Sequence, residues 1–410
     1  MITILAISLL LLSLISTTVL RNPTLSLFLL LIASNRSTET IIICALCATL
    51  FLQCLLMDTF KKNKTFWFIV ILFMAYYITI FIFQPYKIRL GIFISYINAL
   101  MMFLITLSIN WNKEKLTKFA IAYIYVFIIW GLLEFLFADP TPTRIAGPQD
   151  FATLYAVVLV TVWAIWLTQT IFNSGYSGKI IVVTAFVLLV VLLSGTKMGL
   201  IGIVLGLFLS GISKNLAVNS NKSIIVKMSY GIAFLICLFV LTIAVWQLIP
   251  NDMFVKKTFN TLLSMKLDRS NLGRVVAWVT ALEIIPKHIL WGIGPCNFDI
   301  HLNRIGLNLS YRSLGHAHNL FLIVLTEFGI SGFIVIGSVV FSCVFKLFYF
   351  ILKGTQNSVT YAIVNGFIVM MVLGMFDGTP LTLGTLCFGG WLMGISLYFS
   401  FFEKTRVGVC

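Results

Sequence analysis

Apolar residues run in blocks along the chain, and short polar stretches break them. The blocks fall near residues 2–19, 24–34, 41–57, 66–83, 90–108, 119–138, 151–172, 179–194, 199–213, 228–249, 318–345, 360–376 and 381–401. Most come close to the roughly 17 to 25 residues that a helix needs to cross a hydrocarbon core of about 30 Å. The pattern predicts an all-α, polytopic membrane protein. At about 1.5 Å of rise per residue the 24–34 block is too short to span alone, so it is expected at an interface or within a broken helix. Setting it aside leaves about 12 transmembrane helices and a cytoplasmic N-terminus. Met1 to Leu20 lacks the basic start and small-residue cleavage site of a secretory signal, so a retained helix is expected there.

Loop charge gives the orientation. Lys61, Lys62 and Lys64, then Lys113, Lys115 and Lys118, the Lys214–Lys227 loop, Lys346 with Lys353, and Lys404 with Arg406 all fall on one side by span parity. Positive loops mark the cytoplasmic side. The other face then carries residues 139–150, the turn Ser194-Gly195-Thr196-Lys197, a long loop near 250–315, and Asp377-Gly378-Thr379-Pro380. The long loop is net basic, with Lys256, Lys257, Lys266, Arg269, Arg274, Lys287, Arg304 and Arg312 against Asp252, Asp268, Glu283 and Asp299. Long loops escape the charge rule, so it reads either as a solvated cap or as a cationic vestibule for an anion such as phosphate.

Composition agrees with the pattern. The 410 residues are 60% hydrophobic and 10% charged, so most of the chain cannot form a water-exposed surface. One transmembrane domain over residues 1–410 is expected. The net charge of +15 would suit nucleic acid, but the cations lie in short interhelical loops rather than in one stripe, and nucleic-acid binding is not expected. Six of the eight cysteines, Cys44 and Cys47 among them, lie in apolar blocks, where cysteine acts as a small hydrophobe. There is no Walker A loop, HExxH, GxSxG or paired-Asp motif, so no metal site and no cofactor is expected. Gly202 and Gly206 form a G-x-x-x-G pair suited to close helix packing.

The densest polar cluster is Gly315-His316-Ala317-His318-Asn319, where the basic loop meets an apolar helix. Histidines at i and i+2 do not share a helix face, so only one is expected in a given pocket if the helix has begun. His318, nearer the helix, is the candidate base: an imidazole can take a proton from a sugar hydroxyl near neutral pH. His316 and Asn319 are candidate binding residues beside it. Glu327 follows nine residues later, on roughly the opposite helix face. Arg274 and Lys197 are candidate cations for an anionic substrate at that face, with Arg144 a third.

At these residues the chain resembles the O-antigen polymerase and O-antigen ligase group of bacterial membrane glycosyltransferases. GHAHNLFLIVLTEFGISG (315–332) is similar to that group's His-Asn and Glu-x-Gly helix start. GRVVAWVTALEIIPKHILWGIGPCNF (273–298) resembles its arginine-started helix with a following Pro and Gly-x-Gly turn. LLSGTKMGLIGIVLG (192–206) resembles its Ser-Gly-x-Arg-Gly turn, and TRIAGPQDFATLYAVVL (143–159) its earlier Arg and Gly segment. Together these cover about residues 140–395.

The resemblance implies a GT-C-like fold in the bacterial inner membrane, with the active site on the periplasmic face and the 250–315 loop outside. It also implies a polyprenyl-diphosphate-linked glycan as donor, and metal-independent, inverting-type transfer. His318 would activate the acceptor, and Arg274 and Lys197 would hold the diphosphate. Lys197 stands where the group usually has Arg, which removes the planar bidentate fork. The acceptor would be a second lipid-linked unit for a polymerase or lipid A-core for a ligase. A chain-length regulator is a further possible partner. An Ile-, Phe-, Lys- and Asn-rich composition, similar to what polysaccharide gene clusters often encode, inclines the reading toward the polymerase. A transporter of an anionic lipid-linked glycan is the remaining alternative; it would want cations along its path, and the apolar blocks are nearly free of Lys and Arg.

Overall fold

The computed structural model describes residues 22–33, 47, 90–137, 152–175, 177–218, 269–295, 297–298, 300–301, 316–352, 358–377 and 386–399. The expected blocks at 2–19, 41–57, 66–83 and 228–249, Arg144, and much of the 250–315 loop lie outside these residues. The described elements are helical, with no strand among them. They are α1 (Pro23–Ala33), α2 (Leu90–Ser108), α3 (Lys113–Phe137), α4 (Ala152–Ser174), α5 (Gly178–Ser194), α6 (Lys197–Val218), α7 (Arg269–Ile284), α8 (Leu320–Phe328), α9 (Gly329–Leu352), α10 (Ser358–Asp377) and α11 (Leu386–Leu397). Among the described residues four stretches are long and apolar enough to cross a membrane: Lys113–Leu136, Ala152–Asn173, Leu320–Ser338 and Ser358–Met375. This all-helical architecture with several long apolar helices is that of a polytopic membrane protein.

The helix boundaries follow local chemistry. The short 24–34 block is an 11-residue helix, started by Asn22, whose Oδ1 accepts from the Leu25 N–H at 3.1 Å. α3 begins earlier than its apolar run because the Asn112 Oδ1 caps the Lys115 N–H at 2.8 Å, carrying the polar Lys113-Glu114-Lys115 turn into the helix. α5 ends at Gly195, which adopts φ 63° and donates its N–H to the Leu192 carbonyl at 3.0 Å. That is the left-handed C-terminal cap glycine permits.

The described residues divide into two compact units, Met1–Asn110 with Leu267–Cys343 and Gly374–Cys410, and Trp111–Lys266 with Val344–Leu373. In the second unit α4 is the central helix, its residues from Tyr155 to Leu167 nearly all fully enclosed. Aromatic rings of α3 stack in sequence, Phe119 on Tyr123 on Phe127, and Phe127 stacks on Tyr155 of α4. On α6 the G-x-x-x-G pair does what its spacing predicts. A Cβ at Gly202 would lie 2.8 Å from Val160 and Leu373, and one at Gly206 would lie 2.8 Å from the Trp163 ring.

A polar cluster joins α4, α6 and α10 deeper in this unit. The Asn365 amide donates to the Thr168 hydroxyl at 2.9 Å and to the Ser213 hydroxyl at 3.0 Å, while Thr168 and Ser210 share a 2.7 Å hydrogen bond. In hydrocarbon such groups must satisfy one another, and each interhelical bond contributes roughly 0.6 kcal/mol. The first unit uses the same small-residue device. Gly390 on α11 lies against the Ala99 backbone of α2, and a Cβ at Gly394 would lie 2.8 Å from the Phe103 carbonyl.

Glycine substitutions on one helix separate packing from propensity. Gly206→Ala is expected to lower the thermal midpoint of detergent-purified protein, because the methyl meets Trp163. Gly211→Ala has open space within 4 Å. It should leave the midpoint unchanged or raise it, since Ala exceeds Gly in helix propensity by up to about 1 kcal/mol. Equal losses for the two variants would contradict the contact assigned to α6.

Candidate functional site

The candidate residues of the first unit gather around α7 and α8. In α7, Ala277, Ala281 and Ile284 recur at helical spacing and form one buried cluster with Ile293, Phe298, Ala317 and Ile323. Small side chains on α7 therefore set how closely it approaches the 316–323 segment. Arg274 stands one turn before Ala277 on the same side of the helix, and is partly buried with its Nε enclosed. Trp278, the next turn along, has a buried indole N–H that makes no hydrogen bond among the described residues. Sequence reasoning did not single out Trp278; its place one turn from Arg274 was the available signal.

The apolar pattern gives the 250–315 region as a loop, while the resemblance of 273–298 implies an arginine-started helix in it; the structure has a 16-residue helix there. The reason lies in composition. Its apolar residues sit on two faces rather than one, which gives no clear amphipathic period. Pro286 follows in a 3-10 turn over Ile285–His288, and the chain then reverses through Gly292 and Gly294 at φ 70° and 91°.

This returning segment is bonded to α8 and the start of α9 through the main chain. The Ile293 N–H donates to the Thr326 carbonyl at 2.8 Å, and Gly294 to the Glu327 carbonyl at 2.9 Å. In the other direction Ile330 donates to Ile289 at 2.7 Å and Ser331 to Leu290 at 3.2 Å. The helix supplies these partners because it widens to a π turn over Val324–Phe328 and breaks at Gly329, with φ 64° and ψ −166°. That region of backbone space is essentially glycine's alone. A Cβ at Gly292 would fall on the Glu327 carbonyl group, and one at Gly329 would come within 2.6 Å of the Leu290 and Gly292 backbones. The two glycines thus interlock. Glu327 is buried, with its carbonyl committed to Gly294.

The histidines lie just before α8. Because the helix begins only at Leu320, the i, i+2 separation of His316 and His318 does not send them to different helix faces. Their ring centroids are 4.2 Å apart. His318 adopts φ 47°, a left-handed conformation found at no other non-glycine residue among those described. Asn319 then caps the helix: its Oδ1 accepts from Phe321 N–H at 3.0 Å and Leu322 N–H at 3.2 Å, and its Nδ2 donates to the Met375 carbonyl at 2.8 Å. The Asn319 amide is thereby largely committed to backbone, and it fixes the chain on which His318 stands.

Arg274, His316, His318 and Asn319 therefore belong to one unit. Lys197 belongs to the other, as the first residue of α6 after the Ser194-Gly195-Thr196 turn. In that turn the Ser194 and Thr196 hydroxyls are 3.0 Å apart. A helix N-terminus favours an anion, and a lysine at its first position adds to that. A second histidine pair, His288 and His301, meets edge to face at 5.4 Å in the first unit. Among the described residues no group of three or more His, Cys, Asp or Glu could hold a metal ion.

Helical membrane architecture with paired histidines at a helix start defines a class, that of multi-pass proteins carrying polar chemistry at a helix mouth. The sequence of that region has a likeness to a known family: residues 180–337 match the family model Wzy_C, described as O-antigen ligase. The match takes in most of α5, then α6, α7, α8 and the histidine pair, so this part of the chain is similar to an O-antigen ligase domain. No curated protein matches the chain.

The glycine interlock is testable by double substitution. Gly292→Ala and Gly329→Ala should each cost about 1 to 3 kcal/mol, through forbidden backbone angles and collision. Because each glycine makes room for the other's segment, the double variant should lose less than the sum. Thermal unfolding of the three variants in detergent measures this, and strict additivity would show that the two positions act separately.

Proposed function

We propose that the protein is a glycosyltransferase that takes a glycan from a polyprenyl-diphosphate donor at the periplasmic face of the inner membrane, without a metal ion. The observation that carries this reading is His318: an imidazole held at φ 47°, beside a second histidine, on a cap that fixes its backbone. Backbone strain of about 1 to 3 kcal/mol persists only where surrounding structure enforces it, and such positions cluster at functional sites.

In the proposed step, His318 takes the proton of an acceptor hydroxyl as that oxygen attacks the anomeric carbon of the donor sugar. The new glycosidic bond forms on the face opposite the leaving group. The bond from the anomeric carbon to the phosphate oxygen breaks, and polyprenyl diphosphate departs with the electron pair. Arg274 supports this role as a permanent guanidinium, able to meet two phosphate oxygens at once. The Trp278 N–H is a further donor one turn away. His316 assists the positioning of the acceptor. Asn319 acts through the helix cap, with one amide N–H left for substrate. Lys197 and Arg144 stand as separate candidates for diphosphate binding.

The acceptor we favour is a second lipid-linked unit, which makes the reaction O-antigen polymerisation. Ligation to lipid A-core is the second reading, favoured by the description of the matching family model as O-antigen ligase. Lipopolysaccharide from a deletion strain separates them on a gel. Core bearing a single repeat is expected for loss of the polymerase; bare core, with chains left on the carrier lipid, would establish the ligase instead.

His318→Gly separates catalysis from folding. Glycine adopts φ 47° without penalty, so the variant should be as stable as the parent or more stable by about 1 kcal/mol. Loss of a positioned base should slow transfer by roughly 10²- to 10⁴-fold. Transfer by purified variant from a polyprenyl-diphosphate donor measures this, and a stable variant with parental turnover would remove His318 from the mechanism.

A further inference from the structure

The face of α7 turned away from the histidine cluster is also apolar. Val275, Val279 and Leu282 recur at i, i+4 and i+7, and all three are exposed, Leu282 to 61%. The opposite face, with Ala277, Ala281 and Ile284, is buried. A helix that is apolar on both faces is one enclosed on both. Single exposed apolar residues are ordinary, but a stripe of them at helical spacing is not. Arg274, Trp278 and Glu283 flank this stripe and do not interrupt it.

The stripe continues into Ile289 and Leu290, exposed to 53% and 61%. Their carbonyls accept the N–H groups of Ile330 and Ser331, in the first turn of α9. Those bonds fix the depth of the turn. α9 is an unbroken 24-residue helix, Gly329–Leu352, whose one charged residue is Lys346, near its C-terminal end. At about 1.5 Å per residue it is about 36 Å long, enough to cross a core of about 30 Å. Placed with Lys346 toward one membrane surface, and with the break at Gly329 rather than Leu320 as the point where the apolar stretch enters the bilayer, α9 has Gly329 toward the other. Ile330, Phe333 and Ile334, exposed on the first turns of α9, then face lipid. Ile289 and Leu290 are bonded at that same level.

We infer that α7 and the turn after it are an interfacial anchor, seated in the leaflet at the Gly329 end of α9, with Val275, Val279, Leu282, Ile289 and Leu290 among phospholipid acyl chains. The flanking Arg274, Trp278, Glu283 and Lys287 lie at head-group level, where cations and indoles are favoured. The anchor enters about 5 to 10 Å, as amphipathic interfacial helices do. It requires only that α9 spans the bilayer. Given the proposed glycan transfer, it also sets Arg274 and His318 at the height of a lipid-borne diphosphate.

Nitroxide labels at Val279→Cys, Leu282→Cys and Leu290→Cys, with Glu283→Cys as the flanking control, test this in full-length protein whose eight native cysteines are replaced by serine. In phospholipid vesicles, the first three labels should collide more with dissolved oxygen than with a water-soluble nickel chelate, and Glu283→Cys less so. Equal nickel access at all four sites would place the stripe in water. Shielding from both reagents would place protein on it. Either result overturns the anchor. Should the cysteine-free protein not fold, a benzophenone amino acid at position 279 of the native-cysteine chain serves. It should form adducts with phospholipid, and adducts confined to protein would contradict the inference. Because the readout is depth, it succeeds or fails independently of glycan transfer.

Discussion

The corner between α7 and α9 depends on one exchange of main-chain hydrogen bonds, and that exchange depends on two glycines. Residues 289–294 pair with 326–331 because the helix widens and breaks at Gly329, leaving carbonyls and N–H groups that a regular helix would have used internally. Backbone groups near a bilayer cannot go unbonded, each costing several kcal/mol, so the break persists only with the returning segment in place. Gly292 and Gly329 allow the two segments to approach to backbone contact. Side-chain packing between α7 and the 316–323 segment then follows from that fixed corner, through Ala277, Ala281, Ala317 and Ile323.

The polar chemistry is mounted on this frame and not on the helices themselves. His318 stands between a buried Ala317 and the Asn319 cap, in a conformation that the cap and the start of α8 enforce. Arg274 projects from the helix that the corner holds in place. Polar groups elsewhere, such as the Asn365, Thr168, Ser210 and Ser213 cluster, are satisfied among themselves and join helices. The strained imidazole at the helix mouth is the reason that end is proposed as the reactive one.

Much of this was legible in the sequence, for identifiable reasons. Blocks of apolar residues gave α2 and α5 almost to the residue, and α4, α6 and α10 within a turn or so at most boundaries, because membrane helices are specified by run length more than by period. Gly202 and Gly206 were read correctly as packing, since small residues four apart on an apolar helix have little else to do. The resemblance of 315–332 to the O-antigen polymerase and ligase group agrees with the family match over 180–337. What escaped was tertiary. The apolar pattern left α7 inside a loop because its apolar residues serve two opposite faces, and only the resemblance of 273–298 to an arginine-started helix pointed to it. The separate faces expected for the two histidines held only if the helix had already begun at them, and Asn319 starts it one residue later. The Gly292 and Gly329 interlock joins positions 37 apart in sequence (329 − 292), and no local pattern announces it.

The central claim is that a cation and an imidazole at this corner carry out sugar transfer from a lipid diphosphate. The most direct measurement is purified protein in vesicles, given a polyprenyl-diphosphate-linked glycan with lipid A-core and a second lipid-linked unit in separate reactions, all in excess chelator. The account predicts glycan extension with one acceptor and stoichiometric release of polyprenyl diphosphate. Folded protein that released no polyprenyl diphosphate with either acceptor, or that required an added divalent cation to do so, would contradict it.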